Sequence, residues 1–298
     1  MRDFLAWALA FTTLALNSHA ASPGTDWQRA VTQSTMSSPD VRIVIIEREA
    51  GAIIASHQLK AASRTLAAPG SVLKPLLLYR SIQTGQWAPS NRVACNRKLV
   101  IGRHELTCSH PEVPPFDARE ALAWSCNRYF AAMARALRPG QMRNLLEPTG
   151  VLGPTRLTAG EAVADFREPS SLEEKQLTVL GVSNIRITPL ELAVAYRWLA
   201  NEMAKHSEST AAQTIAAGLR ASTEFGIASG AGVGGVSVAG KTGTAEGAQS
   251  SRTHGWFAGL APAENPQVVI VVYVPSGRGA DAAHVAGEIL SRVRSARR

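Results

Sequence analysis

Two of the six lysines in this 298-residue chain, which carries 25 arginines, stand where an arginine would not serve. The first is Lys74, three residues after Ser71 in "PGSVLKP". A serine hydroxyl at its ordinary pKa is a weak nucleophile and needs a base within hydrogen-bond reach. A desolvated lysine can be that base, because burial favours its neutral form, whereas a guanidinium stays charged. If Ser71 opens a helix, its hydroxyl and the Lys74 amine share a face one turn apart. Its backbone N–H is then among the unsatisfied donors at the positive helix end, ready for an oxyanion. S-x-x-K is expected about 0.5 times by chance at this composition, so the pair alone reads equally as a capped helix with a surface lysine.

Two further constellations lie downstream. In "WSCNRYF", Ser125 and Asn127 sit where a helical pattern is interrupted, with a chance expectation of about 0.7 for S-x-N. In "AGKTGTAE" the second informative lysine, Lys241, is followed by Thr242, Gly243 and Thr244; K-T-G is expected only about 0.03 times. Glycines on both sides of a Lys-Thr pair in a β-like run indicate that another backbone comes close.

The elements that must position them follow from the hydrophobic pattern. "VRIVIIE" (41–47) and "AIIASH" (52–57) read as a hairpin turning at Ala50-Gly51. Ser71 to Gln83 reads as a buried helix whose first turn tolerates Pro75 or effectively begins near it. Asp117 and Glu120 form a D-x-x-E helix start, "SCN" interrupts that helix, and "RYFAAMARAL" resumes it. Thr188 caps a helix with Pro189 at its first position and Glu191 closing a capping box. "VSVAGKTGTA", "THGWFAGLA" and "QVVIVVYV" are three β-like runs, and a closing helix spans about 280–292. Two strands, a helical middle, then three strands and a helix predict one α/β domain with an antiparallel sheet built from both chain ends and a helical subdomain.

Net charge is +8, with no Lys/Arg cluster interleaved with aromatic residues, so no nucleic-acid partner is expected. Residues 1–20 read as a signal peptide: Arg2, an apolar stretch from Phe4 to Leu16, and a small-x-small site ending at Ala20. The mature chain is expected to be exported, with a short segment over 21–40 and the catalytic domain over 41–298. Export makes a Cys95–Cys108 disulfide the expectation, closing two short strands around Gly102 and contributing about 3 kcal/mol; two free thiols are the alternative. Cys126 is left over and is expected to point away from the pocket. The histidines are scattered, without HExxH or CxxC, so neither metal nor cofactor is expected.

S-x-x-K, S-x-N and K-T-G in this order resemble the signature of penicillin-binding proteins and class A β-lactamases. "PGSVLKP", "ALAWSCNRYFA", "GVSNIRITPLELAVAYRWLAN" and "THGWFAGLAPAENPQVVIVVYV" resemble the transpeptidase domain of penicillin-binding proteins over nearly the whole mature chain. The resemblance implies a penicillin-binding protein/serine β-lactamase-like fold. It also implies a serine D,D-transpeptidase or D,D-carboxypeptidase acting on D-Ala-D-Ala stem peptides of peptidoglycan, with β-lactam antibiotics as covalent inhibitors. By that resemblance Ser71 is acylated, Lys74 takes its proton, and Ser125 relays a proton to the leaving D-alanine. Lys241 polarises the relay, Asn127 holds the donor peptide, Thr242, Gly243 and Thr244 bind the terminal carboxylate, and the Ser71 and Thr244 amides form the oxyanion hole. The chain departs from many members in having only about twenty residues between Ala20 and the first strand. The expectation is therefore a catalytic domain without a stable transmembrane anchor. A β-lactamase would need a second base, for which "GEAVADFREPSSLEEK" offers acids in no diagnostic pattern. A non-catalytic β-lactam sensor or wall-binding module would not need the nucleophile.

Overall fold

Four consecutive residues of Arg42–Glu47 are fully buried because the strand runs through the interior of a sheet covered on both faces. Val44 and Ile46 face one core, Ile43 and Ile45 the other, as the two-residue period of a strand requires. The computed structural model describes residues 23–111, 115–232, 236–247 and 250–296; the expected signal segment 1–20 lies outside them.

In chain order, α1 (Pro23–Ser34) precedes the hairpin of β1 (Arg42–Glu47) and β2 (Ile53–His57). Helix α2 (Leu59–Ala62) leads through Pro69-Gly70 to a 3-10 turn (Gly70–Leu73) that runs straight into α3 (Lys74–Gln83). A second hairpin, β3 (Lys98–Ile101) and β4 (His104–Thr107), precedes α4 (Ala118–Ala123), α5 (Asn127–Ala136) and α6 (Met142–Leu146). Two-residue strands β5 (Asp165–Phe166) and β6 (Ile185–Arg186) pair around α7 (Leu172–Val179), followed by α8 (Pro189–Lys205) and α9 (Thr210–Glu224). The chain closes with β7 (Ala239–Gly247), β8 (Ser250–Ala261), β9 (Val268–Val274) and α10 (Gly279–Ala296).

The main sheet has the order β2-β1-β9-β8-β7 and is antiparallel throughout. Its N-terminal hairpin therefore docks on the last strand of the chain, Ile43 opposite Val272 and Ile45 opposite Ile270. On one face lie α1 and α10, with Trp27, Val31, Ala286 and Ile289 against Ile43 and Val272. On the other lie α3, α8 and α9 and the smaller helices, through Leu76, Leu77, Leu192, Tyr196 and Leu219. Each fully buried Val, Leu or Ile contributes about 1.5–3 kcal/mol.

The expected helix over 71–83 divides at Lys74: a 3-10 turn carries Ser71, and the α-helix proper begins with Pro75 in its first turn. There the missing proline N–H removes no intrahelical bond. Both predicted capping boxes are present. Asp117 accepts from the Glu120 amide and Thr188 from the Glu191 amide, with the glutamates bonding back. Each box stabilises its helix by about 1 kcal/mol.

The expected disulfide is not formed. Cys95 Sγ and Cys108 Sγ are 3.7 Å apart, and all three cysteines are free. A disulfide would bring its sulfurs to about 2.05 Å. The hairpin around Gly102 is as expected, but its sulfurs converge with two further side chains rather than on each other alone.

Candidate active site

Ser71 stands in the 3-10 turn, where residues three apart eclipse, so Lys74 follows it on the same face. The turn is held from several sides. Gly70 has φ +55, and a Cβ there would lie 2.8 Å from the Thr244 carbonyl oxygen. Its N–H donates to Gly181 O at 2.9 Å. The buried Tyr196 hydroxyl donates to Val72 O at 2.9 Å. Ala68 O accepts from Trp256 Nε1 at 2.9 Å and from His254 Nε2 at 2.8 Å. Burial lowers the His254 pKa, so the ring is a neutral donor. Trp256 is a core residue, as its strand position suggests, but its indole N–H also anchors the segment entering the nucleophile turn.

Lys74 is fully buried, and desolvation pulls its pKa from 10.5 down to about 8. Its Nζ lies 2.9 Å from Ser125 O, 3.3 Å from Ser125 Oγ and 2.7 Å from Asn127 Oδ1. A neutral amine has two protons and one lone pair. It can donate to Ser125 O and Asn127 Oδ1 while accepting from the Ser125 hydroxyl, so its hydrogen bonds are satisfied without a net charge.

Ser125 and Asn127 reach Lys74 because the helix breaks between them. Ser125 has φ +56, a conformation that costs a non-glycine residue of order 1–3 kcal/mol. Helix α4 ends at Ala123, α5 starts at Asn127, and the buried Cys126 between them stands at the N-cap position of the second helix without a side-chain cap bond. An uninterrupted helix would turn Ser125 and Asn127 to different faces.

On the other side of the cleft, β7 carries Lys241 through Thr244. A Cβ on Gly243 would lie 2.6 Å from Pro69 O and 3.2 Å from Ser71 N, so glycine is what lets this strand lie on the nucleophile turn. The Thr244 hydroxyl accepts from Gly279 N–H at 2.9 Å. Lys241 is fully buried, and desolvation, with Lys74 close by, lowers its pKa well below the ordinary value. Lys241 Nζ donates to Thr242 O at 3.0 Å.

Between these elements lies a cleft of about 280 Å³ whose walls include Ser71, Ser125, Asn127, Thr242, Gly243 and Thr244. Six of the eight expected site residues line this one cavity and Lys74 bonds two of them, whereas Lys241 is fully buried and does not line it. Sequence reasoning missed the contribution of the β3–β4 hairpin, since Glu105, Leu106, Thr107 and Cys108 form one rim. It also missed the roles of Tyr196 and Gly181 in holding the turn. No motif marks them, because their contact with Ser71's neighbours joins residues more than a hundred positions apart.

Three of the five acids of "GEAVADFREPSSLEEK" are held in other tasks. Glu161 binds Thr155 and the Arg156 amide, Glu168 the amides of Met142 and Arg143, and Glu174 Arg167. Among the residues lining the cleft, the single carboxylate is Glu105, exposed on the hairpin rim.

The family model of the penicillin-binding protein transpeptidase domain matches residues 32–294. The chain belongs to this family. Its fold is shared by solved members at low sequence identity. The transpeptidase domain of Burkholderia pseudomallei penicillin-binding protein 3 is 19% identical with a TM-score of 0.78, covering 92% of this chain and 93% of that one. A Burkholderia ambifaria peptidoglycan glycosyltransferase is 18% identical with a TM-score of 0.77, covering 90% and 93%. Penicillin-binding protein 3 of Mycobacterium tuberculosis, solved with aztreonam, is 18% identical with a TM-score of 0.76, covering 92% and 77%. The antiparallel sheet covered by helices on both faces is therefore the fold this chain shares with those structures. Among the described residues, no helix is long and apolar enough to cross a membrane.

Proposed function

We propose that this member of the transpeptidase family is a serine D,D-acyltransferase that works outside the cytoplasm on peptidoglycan stem peptides ending in D-Ala-D-Ala. The carrying observation is a fully buried Lys74 of lowered pKa that touches Ser125 and Asn127 at the base of the cleft lined by Ser71.

Ser71 Oγ attacks the carbonyl of the penultimate D-alanine and gives its proton to neutral Lys74. The charge that develops on the carbonyl oxygen meets the amides of Ser71 and Thr244, the family's oxyanion donors. Collapse breaks the C–N bond. Lys74 returns the proton through Ser125 to the leaving amine, and D-alanine departs. An acceptor then releases the acyl group: water yields carboxypeptidase products, a stem-peptide amine yields a cross-link. Thr242 and Thr244 hydroxyls suit the terminal carboxylate, and Asn127 suits the donor backbone. A β-lactam acylates Ser71 by the same first step, but its leaving group stays attached. Export by the segment 1–20, with the catalytic domain over 41–298, is part of this reading.

The penicillin-binding reading, with its slow deacylation, is favoured over a β-lactamase because among the described residues lining the cleft the sole carboxylate is Glu105, which is exposed. The test is a fluorescent penicillin followed for hours on wild type and Ser71→Ala. A stable label on wild type that the variant lacks is the expected result. Rapid turnover of the label would move the protein to the β-lactamases, and an unlabelled folded protein would favour a binding module.

A further inference from the structure

Beside the cleft, on the side away from β7, four buried side chains meet that the proposed reaction does not use. Cys95, Cys108, His110 and Cys126 each offer one ligand atom, and these atoms lie within 4.8 Å of one another. They come from three segments: the chain entering β3, the chain leaving β4, and the break between α4 and α5.

Buried cysteines often serve only as small apolar residues. The histidine decides against that here. His110 is fully buried, and its Nδ1 donates to Pro111 O at 2.7 Å. That bond selects the tautomer with a lone pair on Nε2, and Nε2 has no hydrogen-bond partner among the described residues. Protein interiors rarely leave a polar atom in that state. An imidazole whose outer nitrogen is fixed by a carbonyl, leaving the inner one free, is how metal-bound histidines are normally oriented. Phe116 holds the ring edge-on at 4.6 Å.

The sulfur spacing agrees. A tetrahedral zinc with Zn–S bonds of about 2.3 Å separates its sulfurs by about 3.8 Å. Cys95 and Cys108 Sγ are 3.7 Å apart, too far for a disulfide and the length of that tetrahedral edge. The widest pair need draw in by only about 1 Å.

We propose that Cys95, Cys108, His110 and Cys126 bind one zinc ion in a closed Cys3His site that pins the β3–β4 hairpin to the Ser125–Asn127 break. Three thiolates and one imidazole select a soft-tolerant, tetrahedral ion and leave no open position for substrate. Cys126 sits between Ser125 and Asn127, and the Asn127 N–H donates to Cys108 Sγ at 3.2 Å. The ion therefore fixes both partners of Lys74 through one peptide unit each. The C-x12-C-x-H-x15-C spacing matches no standard zinc pattern, which is why the sequence predicted no metal.

The chain is purified without an affinity tag, under reductant and without chelator, and its metals are measured by mass spectrometry. The expected result is about one zinc per chain, in line with a single four-ligand site. Replacement by cobalt should give the absorption of a tetrahedral thiolate complex. Cys95→Ser and His110→Ala should each weaken zinc at least about 100-fold in chelator competition, the upper end of what an outer-shell partner alone is worth. Because losing a ligand can also cost folding, His110→Cys is the companion variant: it keeps four ligands and should keep the metal. Folded protein with three titratable thiols and no metal would overturn the proposal. So would a Cys95–Cys108 disulfide with a single free thiol, or zinc held equally well by Cys95→Ser and His110→Ala. Acylation by fluorescent penicillin, slower after zinc removal, is read separately, so failure of the proposed reaction leaves the metal result standing.

Discussion

Lys74 Nζ lies 2.7 Å from Asn127 Oδ1 across 53 residues of sequence, the shortest of three contacts that join two of the three motifs. Asn127 can hold the amine as an acceptor without donating a charge to it. An aspartate could not, since a carboxylate at this distance would favour the protonated amine.

The first prediction follows for pH. Lys74 acts as base only when neutral, and its pKa is lowered to about 8. Acylation by a fluorescent penicillin should rise with pH through about 8, with roughly a tenth of the maximal rate at pH 7. In Asn127→Asp the midpoint should move upward. A flat profile from pH 6 to 10 on folded wild type would rule Lys74 out as the base.

Gly243 is predicted to be irreplaceable for chemistry rather than for folding. Alanine there would put its Cβ 2.6 Å from Pro69 O and 3.2 Å from Ser71 N. Gly243→Ala should push β7 off the nucleophile turn, destabilising by about 1–3 kcal/mol. Acylation should fall at least about 100-fold, the scale of losing one oxyanion donor. Thermal unfolding and label incorporation on the same sample separate the two effects.

Deacylation should not depend on Glu105, although it is the carboxylate on the cleft wall. It is exposed on β4, on the rim of the cleft. Release of bound penicillin should be slow, and Glu105→Gln should leave its half-life within about twofold. A label that persists much longer in the variant would instead make Glu105 the deacylating base.

Stability should respond to Glu191, which closes the Thr188 capping box and also accepts from the Ala164 amide at 2.6 Å. Burial outweighs those donors and raises its pKa from 4.5 to about 7. The folded state binds this proton more tightly than the unfolded chain. The contribution is therefore full below pH 4.5 and is lost as pH rises through about 7, by at most about 3 kcal/mol. Chemical denaturation at pH 4.5, 6 and 8 measures it, and Glu191→Gln should flatten that part of the profile.

The strands and caps were legible in the sequence because their causes are local. RIVIIE and QVVIVVYV show the apolar runs of strands buried on both faces, and Thr188-Pro189 with Glu191 writes a helix start in four letters. Lys241 illustrates the opposite case. Its motif marked it, yet its full burial and lowered pKa arise only once β7 has packed, which no local pattern encodes.

By itself, then, the sequence determined the elements, the three motifs and the residue types available for acyl transfer, since propensity, capping and motif spacing act within a few residues. Only the tertiary structure decided what those residues touch. It set Lys74 against Asn127, laid Gly243 on the Ser71 turn, and drew Cys95, Cys108, His110 and Cys126 into one cluster instead of a disulfide. Those contacts join segments that are distant in the chain, and burial, which shifts the pKa of Lys74 and strips His110 of solvent, exists only once the segments have packed.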